Sequence, residues 1–286
     1  MLAPAKVNLF LHVGPVKENG RHDLDSLVMF AGPEASDRVE ARKCDEMSLT
    51  LDGPFAGPEL ASPENLVLQA VSACQARGFR VPPLAIALYK NIPVAGGLGG
   101  GSADAGAMLR HLAKLGLLTD PVALSIASTL GGDVPSAFVS RARLMRGEGQ
   151  RLDLPPSLPD LPTLLVNPRL PCPTGPVFQA FDRENTGAPL ELVEMPTFET
   201  PPPMIDWLAG MTRNDLQSPA TGLIPEIEGV LETISSLPGC GLARMSGSGA
   251  SCFGLFKTRA DLKAAADALS NSFPHWWIAP TLLKGI

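Results

Sequence analysis

From Lys6 to Val13 the residues alternate. Val7, Leu9, Leu11 and Val13 fall on one face, Lys6, Asn8, Phe10 and His12 on the other, which is the period of a strand. Met47, Leu49 and Leu51 repeat that spacing, as do Leu84, Ile86 and Leu88. Helical spacing takes over at Leu66, Ala70, Ala73 and Cys74. Ser62-Pro63-Glu64 ahead of it reads as an N-cap, a proline at the first helical position and an early acid, and Arg77-Gly78 reads as the stop. Ala105, Met108, Leu109, Leu112 and Leu115 predict a second helix ending at Gly116. Asp120-Pro121 starts a third, which runs through Leu130 to the Gly131-Gly132 stop.

Proline then dominates. Pro155, Pro156, Pro159, Pro162, Pro168, Pro171, Pro173 and Pro176 disfavour regular elements and mark a connection or a shaped substrate loop. A domain boundary is expected near its start, dividing 1–154 from 155–286. Beyond it the pattern predicts a helix from about Pro225 to Leu237 and a strand–turn–strand over Arg244 to Phe256. A helix from Arg259 to Leu269 and a strand from Trp276 to Ala279 follow. Strands and helices mix without regular βαβ alternation, so the class is α+β rather than a doubly wound sheet.

Composition narrows the function. A chain of 286 residues with 45% hydrophobic and 18% charged residues has material for a real core. A net charge of −6 argues against nucleic-acid binding, which draws its affinity from cationic contacts to phosphate. Any anionic ligand must meet local cations or backbone N–H groups. Cys44, Cys74, Cys172, Cys240 and Cys252 are odd in number, scattered and without a C-x-x-C pair, which excludes the usual zinc spacings and a disulfide framework. His12, His111 and His275 have no ligand spacing either. No apolar run approaches the ~20 residues of a membrane span. The opening residues turn polar at Asn8 without a charged-then-apolar leader, so a cytoplasmic location is expected.

The strongest local signal is Pro93-Val94-Ala95-Gly96-Gly97-Leu98-Gly99-Gly100-Gly101-Ser102-Ala103, between a predicted strand and a predicted helix. Five glycines in six positions (96–101) remove the Cβ atoms that would hold a ligand off the backbone. The helix behind them offers unpaired N–H groups and a positive dipole end, which suits phosphate. A P-loop would need Lys where Ser102 stands, and a Rossmann fingerprint begun at Gly97 would put its third glycine on Ser102. The H-R-D and D-F-G triplets of protein kinases do not occur.

Together with flanking motifs this loop resembles the GHMP small-molecule kinases. The motifs are Ala3-Pro4-Ala5-Lys6-Val7-Asn8-Leu9, Asn19-Gly20-Arg21-His22-Asp23-Leu24, Leu130-Gly131-Gly132-Asp133-Val134-Pro135, Thr174-x-x-Val177-Phe178, Asn214-Asp215-Leu216 and Arg244-Met245-Ser246-Gly247-Ser248-Gly249-Ala250. They occur in order and cover nearly the whole chain. The resemblance implies two domains, a ribosomal-S5-domain-2-like N-terminal one and a ferredoxin-like C-terminal one. It also implies ATP-dependent phosphorylation of an alcohol. Within the superfamily it points to the members acting on the C2 hydroxyl of 4-diphosphocytidyl-2-C-methyl-D-erythritol, on the non-mevalonate route to isoprenoid precursors. Two rivals remain: another alcohol acceptor such as homoserine or mevalonate, and a protein of this fold that binds without turnover.

The same resemblance distributes roles. Asp133 becomes the general base and Lys6 its partner, an ammonium that would keep the carboxylate ionised and favour alkoxide character on the attacking oxygen. By local sequence Asp133 reads equally as an N-cap for a helix starting near Pro135, and Lys6 as a solvated lysine. Residues Pro93 to Ala103 are expected to hold ATP's phosphates, with Mg²⁺ alongside and Ser102 as a candidate hydroxyl near it. Ala103 replaces a second serine common in the family. Asn65 and Lys90 match positions near the adenine; each alone reads as a helix-start or strand-end residue. His22 and Phe178 match cytosine contacts, with Asn8 and Thr174 also on the substrate side. Arg21 stands where most relatives place a stacking Tyr, and its planar guanidinium is expected to stack on cytosine or pair with the diphosphate. Gly247-Ser248-Gly249 reads as a second glycine loop or a tight turn.

Overall fold

The computed structural model describes residues 1–184, 189–190 and 192–286. They gather into two compact units that interleave along the chain. Unit 1 is Met1–Lys6, Ser36–Val94 and Gly99–Ser140; unit 2 is Val7–Ala35, Ala95–Leu98 and Arg141–Ile286. The strand Lys6–Val16 and the glycine-rich loop each pass from one unit into the other.

In unit 1 the strands Leu2–Pro4, Ser36–Lys43, Leu84–Tyr89 and Ser48–Asp52 form a sheet in that spatial order, antiparallel except for the last pair. Its inward residues Val39, Ile86 and Leu88 join Val67 and Val71 of the helix Leu66–Ala76. Met108, Leu109 and Leu112 of the helix Gly100–Lys114, the loop helix, complete that core. Helices Asp120–Leu130 and Val134–Val139 follow. The second of them crosses the loop helix so closely at Gly106 that a Cβ there would stand 2.6 Å from the Ala137 carbonyl carbon.

Unit 2 holds two sheets. Strands Lys6–Val16, His22–Phe30, Arg143–Gly147 and Arg151–Asp153 make the first. The second runs Cys240–Met245, Cys252–Phe256, Leu161–Asn167 and Trp277–Leu283 in spatial order, antiparallel throughout. Read along the chain with helices Glu226–Ser235 and Arg259–Ser272, it is the β-α-β-β-α-β order of a ferredoxin-like domain. A shared core that includes Leu164, Val166, Ile227, Val230, Phe256 and Leu262 binds the helices to the sheet.

Several predicted elements differ, each for a visible reason. The alternation from Lys6 to Val13 predicts one buried face, yet both faces of that strand are buried. The first helix does not start at Ser62: Ser62 to Glu64 form a turn, and Asn65 is the N-cap, its side chain accepting the Val67 N–H at 3.0 Å. The proline-rich stretch contains the strand Leu161–Asn167. Pro162 fits because the neighbour Cys252–Phe256 pairs only with Thr163 to Val166, leaving Pro162 opposite Leu282 alone. The helix Pro201–Met211 begins with Pro201-Pro202-Pro203, where the first N–H groups of a helix have no internal partner to lose.

Close approach makes a direct stability test. Gly106→Ala should lose about 1–3 kcal/mol by urea unfolding, because backbone rather than a movable side chain meets the new methyl. Gly210→Ala, in a helix with nothing within 4 Å, should be neutral or gain up to about 1 kcal/mol. Equal effects at the two sites would contradict this packing.

Candidate active site

The polar edge of the first strand and the end of a glycine stop meet in unit 1. Lys6 Nζ lies 3.0 Å from Asp133 Oδ2, with the lysine side chain 6% exposed and the aspartate 34%. Asp133 occupies the N-cap position of the helix Val134–Val139, but its side chain makes no cap hydrogen bond. The Ser136 hydroxyl instead donates to the Asp133 main-chain carbonyl at 2.9 Å. Asp133 thus holds the N-cap position that the local sequence suggests, while its carboxylate pairs with Lys6, as the family resemblance implies. A carboxylate one-third exposed can still reach a ligand, whereas a buried ammonium beside it is fixed.

The glycine-rich loop starts the loop helix two residues earlier than Ser102, at Gly100. Its backbone is left-handed at alternate residues, Ala95, Gly97 and Gly99, with φ of 52°, 75° and 65°. Such alternation turns successive N–H groups toward one side, the arrangement that binds anions. Gly99 lies beside the ion pair: a Cβ on it would stand 3.4 Å from Lys6 Cε and 3.5 Å from Asp133 Oδ2. Bare main chain therefore lies directly against the ion pair. Ser102, half-buried in the first turn, is the one side chain of the Pro93–Ala103 run that carries an oxygen.

Lys90 and Asn65 sit elsewhere in unit 1. Asn65 caps its helix and donates to the Leu60 carbonyl at 2.9 Å. Lys90 is buried, its ammonium between the carboxylates of Asp37 and Asp104, the latter at 2.6 Å. Burial, with Asp37 adding to it and Lys90 opposing, pushes Asp104 up to about 8. Burial works against the charge on Lys90, but Asp104 and Asp37 outweigh it and its pKa is raised.

In unit 2, Gly20, Arg21, His22, Leu24, Glu148, Gly175, Phe178, Gln179 and Asp182 line a cavity of about 410 Å³. His22 and Phe178 have ring centroids 5.0 Å apart at 31°, and Phe181 meets His22 edge-on at 5.8 Å. His22 Nδ1 faces the Gly14 carbonyl at 2.9 Å, which can only accept, so that nitrogen carries a proton; Nε2 lies 3.4 Å from Asp182. Phe178 is half-exposed, leaving a ring surface for a planar group. Arg21, with a side chain 69% exposed, reaches Glu148 at 3.5 Å. Glu148 also accepts from Lys17 at 2.8 Å and Asn19 at 2.9 Å, hydrogen bonds that hold its carboxyl below the usual range. This turn is closed by Lys17 N–H to Arg21 carbonyl at 2.8 Å.

Asn8 is buried; its amide donates to the Ser26 hydroxyl at 2.8 Å, and its backbone N–H donates to the Ser246 hydroxyl at 3.1 Å. Thr174 is exposed, with its hydroxyl 2.9 Å from that of Ser248. The turn at Gly247 to Gly249 is braced: Ser246 donates to the Gly97 carbonyl at 3.1 Å, and Ser251 N–H to the Gly96 carbonyl at 3.1 Å. Reasoning from the sequence missed Glu148, Asp182, Asp37, Asp104 and Ser246. Of these, Ser246 lies inside the Arg244 to Ala250 motif and Asp104 directly follows the glycine-rich loop, yet neither carried a role of its own. Among the described residues no group of three or more His, Cys, Asp or Glu converges as a metal site, and no helix is long and apolar enough to cross a membrane.

Comparison with known proteins bears on the family and the fold. The family model for the GHMP kinases N terminal domain matches residues 65–141, and that for GHMP kinases C terminal matches residues 197–275. A 4-diphosphocytidyl-2-C-methyl-D-erythritol kinase of Hyphomonas neptunium is 48% identical over 98% of this chain and 95% of its own. One of Dinoroseobacter shibae is 45% identical over 99% and 94%. A crystal structure of 4-(cytidine 5'-diphospho)-2C-methyl-D-erythritol kinase matches with a TM-score of 0.77 and 33% identity, covering 100% of this chain and 99% of that one. A homoserine kinase from Cytophaga hutchinsonii, at 16% identity and a TM-score of 0.63 over 100% of this chain and 96% of its own, shares the fold.

The buried Asp104 gives a pH test. Its folded pKa lies above the ordinary 3.8. Between about pH 4 and 8 the folded chain therefore holds more proton here than the unfolded chain, and this group's contribution to stability falls as pH rises. Asp104→Asn lacks that slope. Its urea midpoint should gain on the wild type from pH 5 to 8 and level off above; parallel curves would contradict the assignment.

Proposed function

This chain belongs to the 4-diphosphocytidyl-2-C-methyl-D-erythritol kinases of the GHMP kinase family, and we propose that Lys6 and Asp133 are the residues that carry its proton transfer. The activity is ATP-dependent phosphorylation of the C2 hydroxyl of 4-diphosphocytidyl-2-C-methyl-D-erythritol, giving the 2-phosphate and ADP, in the non-mevalonate route to isoprenoid precursors. The observation that carries the residue assignment is the 3.0 Å Lys6–Asp133 pair with Gly99 main chain against both side chains.

Each part has a chemical task. The loop from Pro93 to Ala103 receives the triphosphate on backbone N–H groups and the positive end of the loop helix. The C2 hydroxyl oxygen attacks the γ-phosphorus, the bond from that phosphorus to the β–γ bridging oxygen breaks, and ADP leaves with that oxygen. The hydroxyl proton passes to Asp133 as the new bond forms. Lys6 holds the carboxylate in place and supplies positive charge where the alkoxide develops. Asn65 and Lys90 belong to the ATP side of this reading. Mg²⁺ would accompany ATP's phosphates, with the Ser102 hydroxyl as the loop's candidate to approach it; among the described residues no group of three or more His, Cys, Asp or Glu converges.

The cytidine end is read in unit 2. Phe178 offers its ring face to cytosine, His22 backs it, and Arg21 covers the planar base or meets the diphosphate. Asn8 and Thr174 complete the substrate side. The net charge of −6 supports a small-molecule acceptor rather than a nucleic acid or anionic membrane, and a cytoplasmic location fits the scattered, unpaired cysteines. The halves 1–154 and 155–286 remain the proposed division of the family's two domains, with one family model falling on either side.

Steady-state ADP release tests the pair. Asp133→Asn and Lys6→Met should each lower kcat by about 10²–10⁴ with KM for both substrates little changed. Retained kcat with raised KM would remove them from proton transfer. Arg21→Ala should raise KM for the cytidine substrate well above any change for ATP; an equal or absent effect would take Arg21 out of the site.

A further inference from the structure

Lys90 is buried where a strand ends and the phosphate loop begins, and it sits between two acids from different elements. Asp37, at the start of the strand Ser36–Lys43, is fully buried. One of its oxygens accepts the Asn91 and Ile92 N–H groups at 2.5 and 2.8 Å, and its other oxygen meets the Lys90 ammonium. Asp104 lies in the loop helix and takes the same ammonium at 2.6 Å on Oδ2, while its buried Oδ1 has no hydrogen-bond partner among the described residues. The helix start packs on this cluster: a Cβ at Gly100 would lie 3.4 Å from both Asp37 Oδ2 and Ile92. Lys90's own backbone is pinned as well, its N–H donating to the Asp52 carbonyl at 2.7 Å and its carbonyl accepting from Phe55 at 3.2 Å.

We propose that Lys90 is a positioning residue for the phosphate loop, clamping the loop's incoming arm (through Asp37) to its outgoing helix (through Asp104), and that it acts on ATP through that backbone rather than by touching the nucleoside. The argument is geometric. Backbone N–H donors bind phosphate only as well as the two ends of their loop are held, and here one cation spans both ends. Its side chain is 4% exposed and engaged by two carboxylates, so the charge is spent inside the protein.

This inference rests on the kinase reading for its ligand, so its test uses binding as well as turnover. Full-length wild type, Lys90→Met, Lys90→Arg, Asp104→Asn and the Lys90→Met/Asp104→Asn double variant are compared for affinity toward ADP and inorganic tripolyphosphate by calorimetry. KM for ATP and for the cytidine substrate is measured alongside. Lys90→Met and Asp104→Asn should weaken ADP and tripolyphosphate by the same factor, between about tenfold and a hundredfold, with KM for the cytidine substrate unchanged. The double variant should be no worse than the worse single one, and Lys90→Arg should recover most of the loss. A loss for ADP that exceeds the loss for tripolyphosphate would mean a direct nucleoside contact and would overturn the proposal, as would unaltered affinity. If Lys90→Met does not fold, Asp104→Asn, which keeps the side-chain size and the Lys90–Asp37 contact, decides by the same comparison. An inactive wild type would defeat the kinase reading and leave the binding comparison standing.

Discussion

One ion pair sets the terms for the rest of this protein: Lys6 against Asp133, with a glycine pressed on both. A buried ammonium must be compensated, and here the compensating carboxylate is left partly open instead of being sealed in. Gly99, where the loop helix begins, puts bare main chain beside that pair. The same residue is left-handed, so its lack of a Cβ serves both the turn and the approach. The backbone proposed to bind phosphate and the side chain proposed to accept the proton thereby lie side by side.

Buried polar groups elsewhere act in the same way, holding backbone rather than ligand. Arg244 pairs with no carboxylate among the described residues; its guanidinium donates to the carbonyls of Leu9, Leu208 and Thr212 at 2.7 to 3.0 Å, and burial lowers its pKa to about 10. Asp25, fully buried, takes Arg146 at 2.9 Å and the Val193 N–H at 2.6 Å. Removing one partner from any such group leaves an unpaired buried charge, so these contacts fix chain segments more firmly than their net energy implies.

The parts legible in the sequence are those whose signal is local or ordered along the chain. The glycine run from Gly96 to Gly101 marked a bare loop at a helix start, and the chain order of motifs around Lys6 and Asp133 pointed to the family. Periodicity found the helices beginning at Leu66, Gly100, Asp120, Glu226 and Arg259, with errors of a few residues where Asn65 outcompeted Ser62 as a cap. Strands such as Leu161–Asn167 were hidden because prolines on either side outweighed seven residues whose pairing is entirely long-range. The partners of Lys90 were invisible for the same reason. Asp37 is 53 residues away from it, and no spacing rule links a strand start, a strand end and a helix turn. Glu148 was equally silent, an acid in a polar turn until the fold brought Lys17, Asn19 and Arg21 to it.

The most direct measurement is ADP release by the wild-type chain with ATP and a panel of alcohols, followed by locating the phosphate on the product. In the proposed reading the glycine-rich loop holds the triphosphate, the Lys6–Asp133 pair moves the proton and the ring-lined cavity takes the base of a cytidine-bearing alcohol. Turnover with 4-diphosphocytidyl-2-C-methyl-D-erythritol, phosphate on its C2 oxygen and no comparable rate with homoserine, mevalonate or galactose is the predicted result. Turnover of one of those alcohols in its place, or phosphate on another oxygen, would contradict the account.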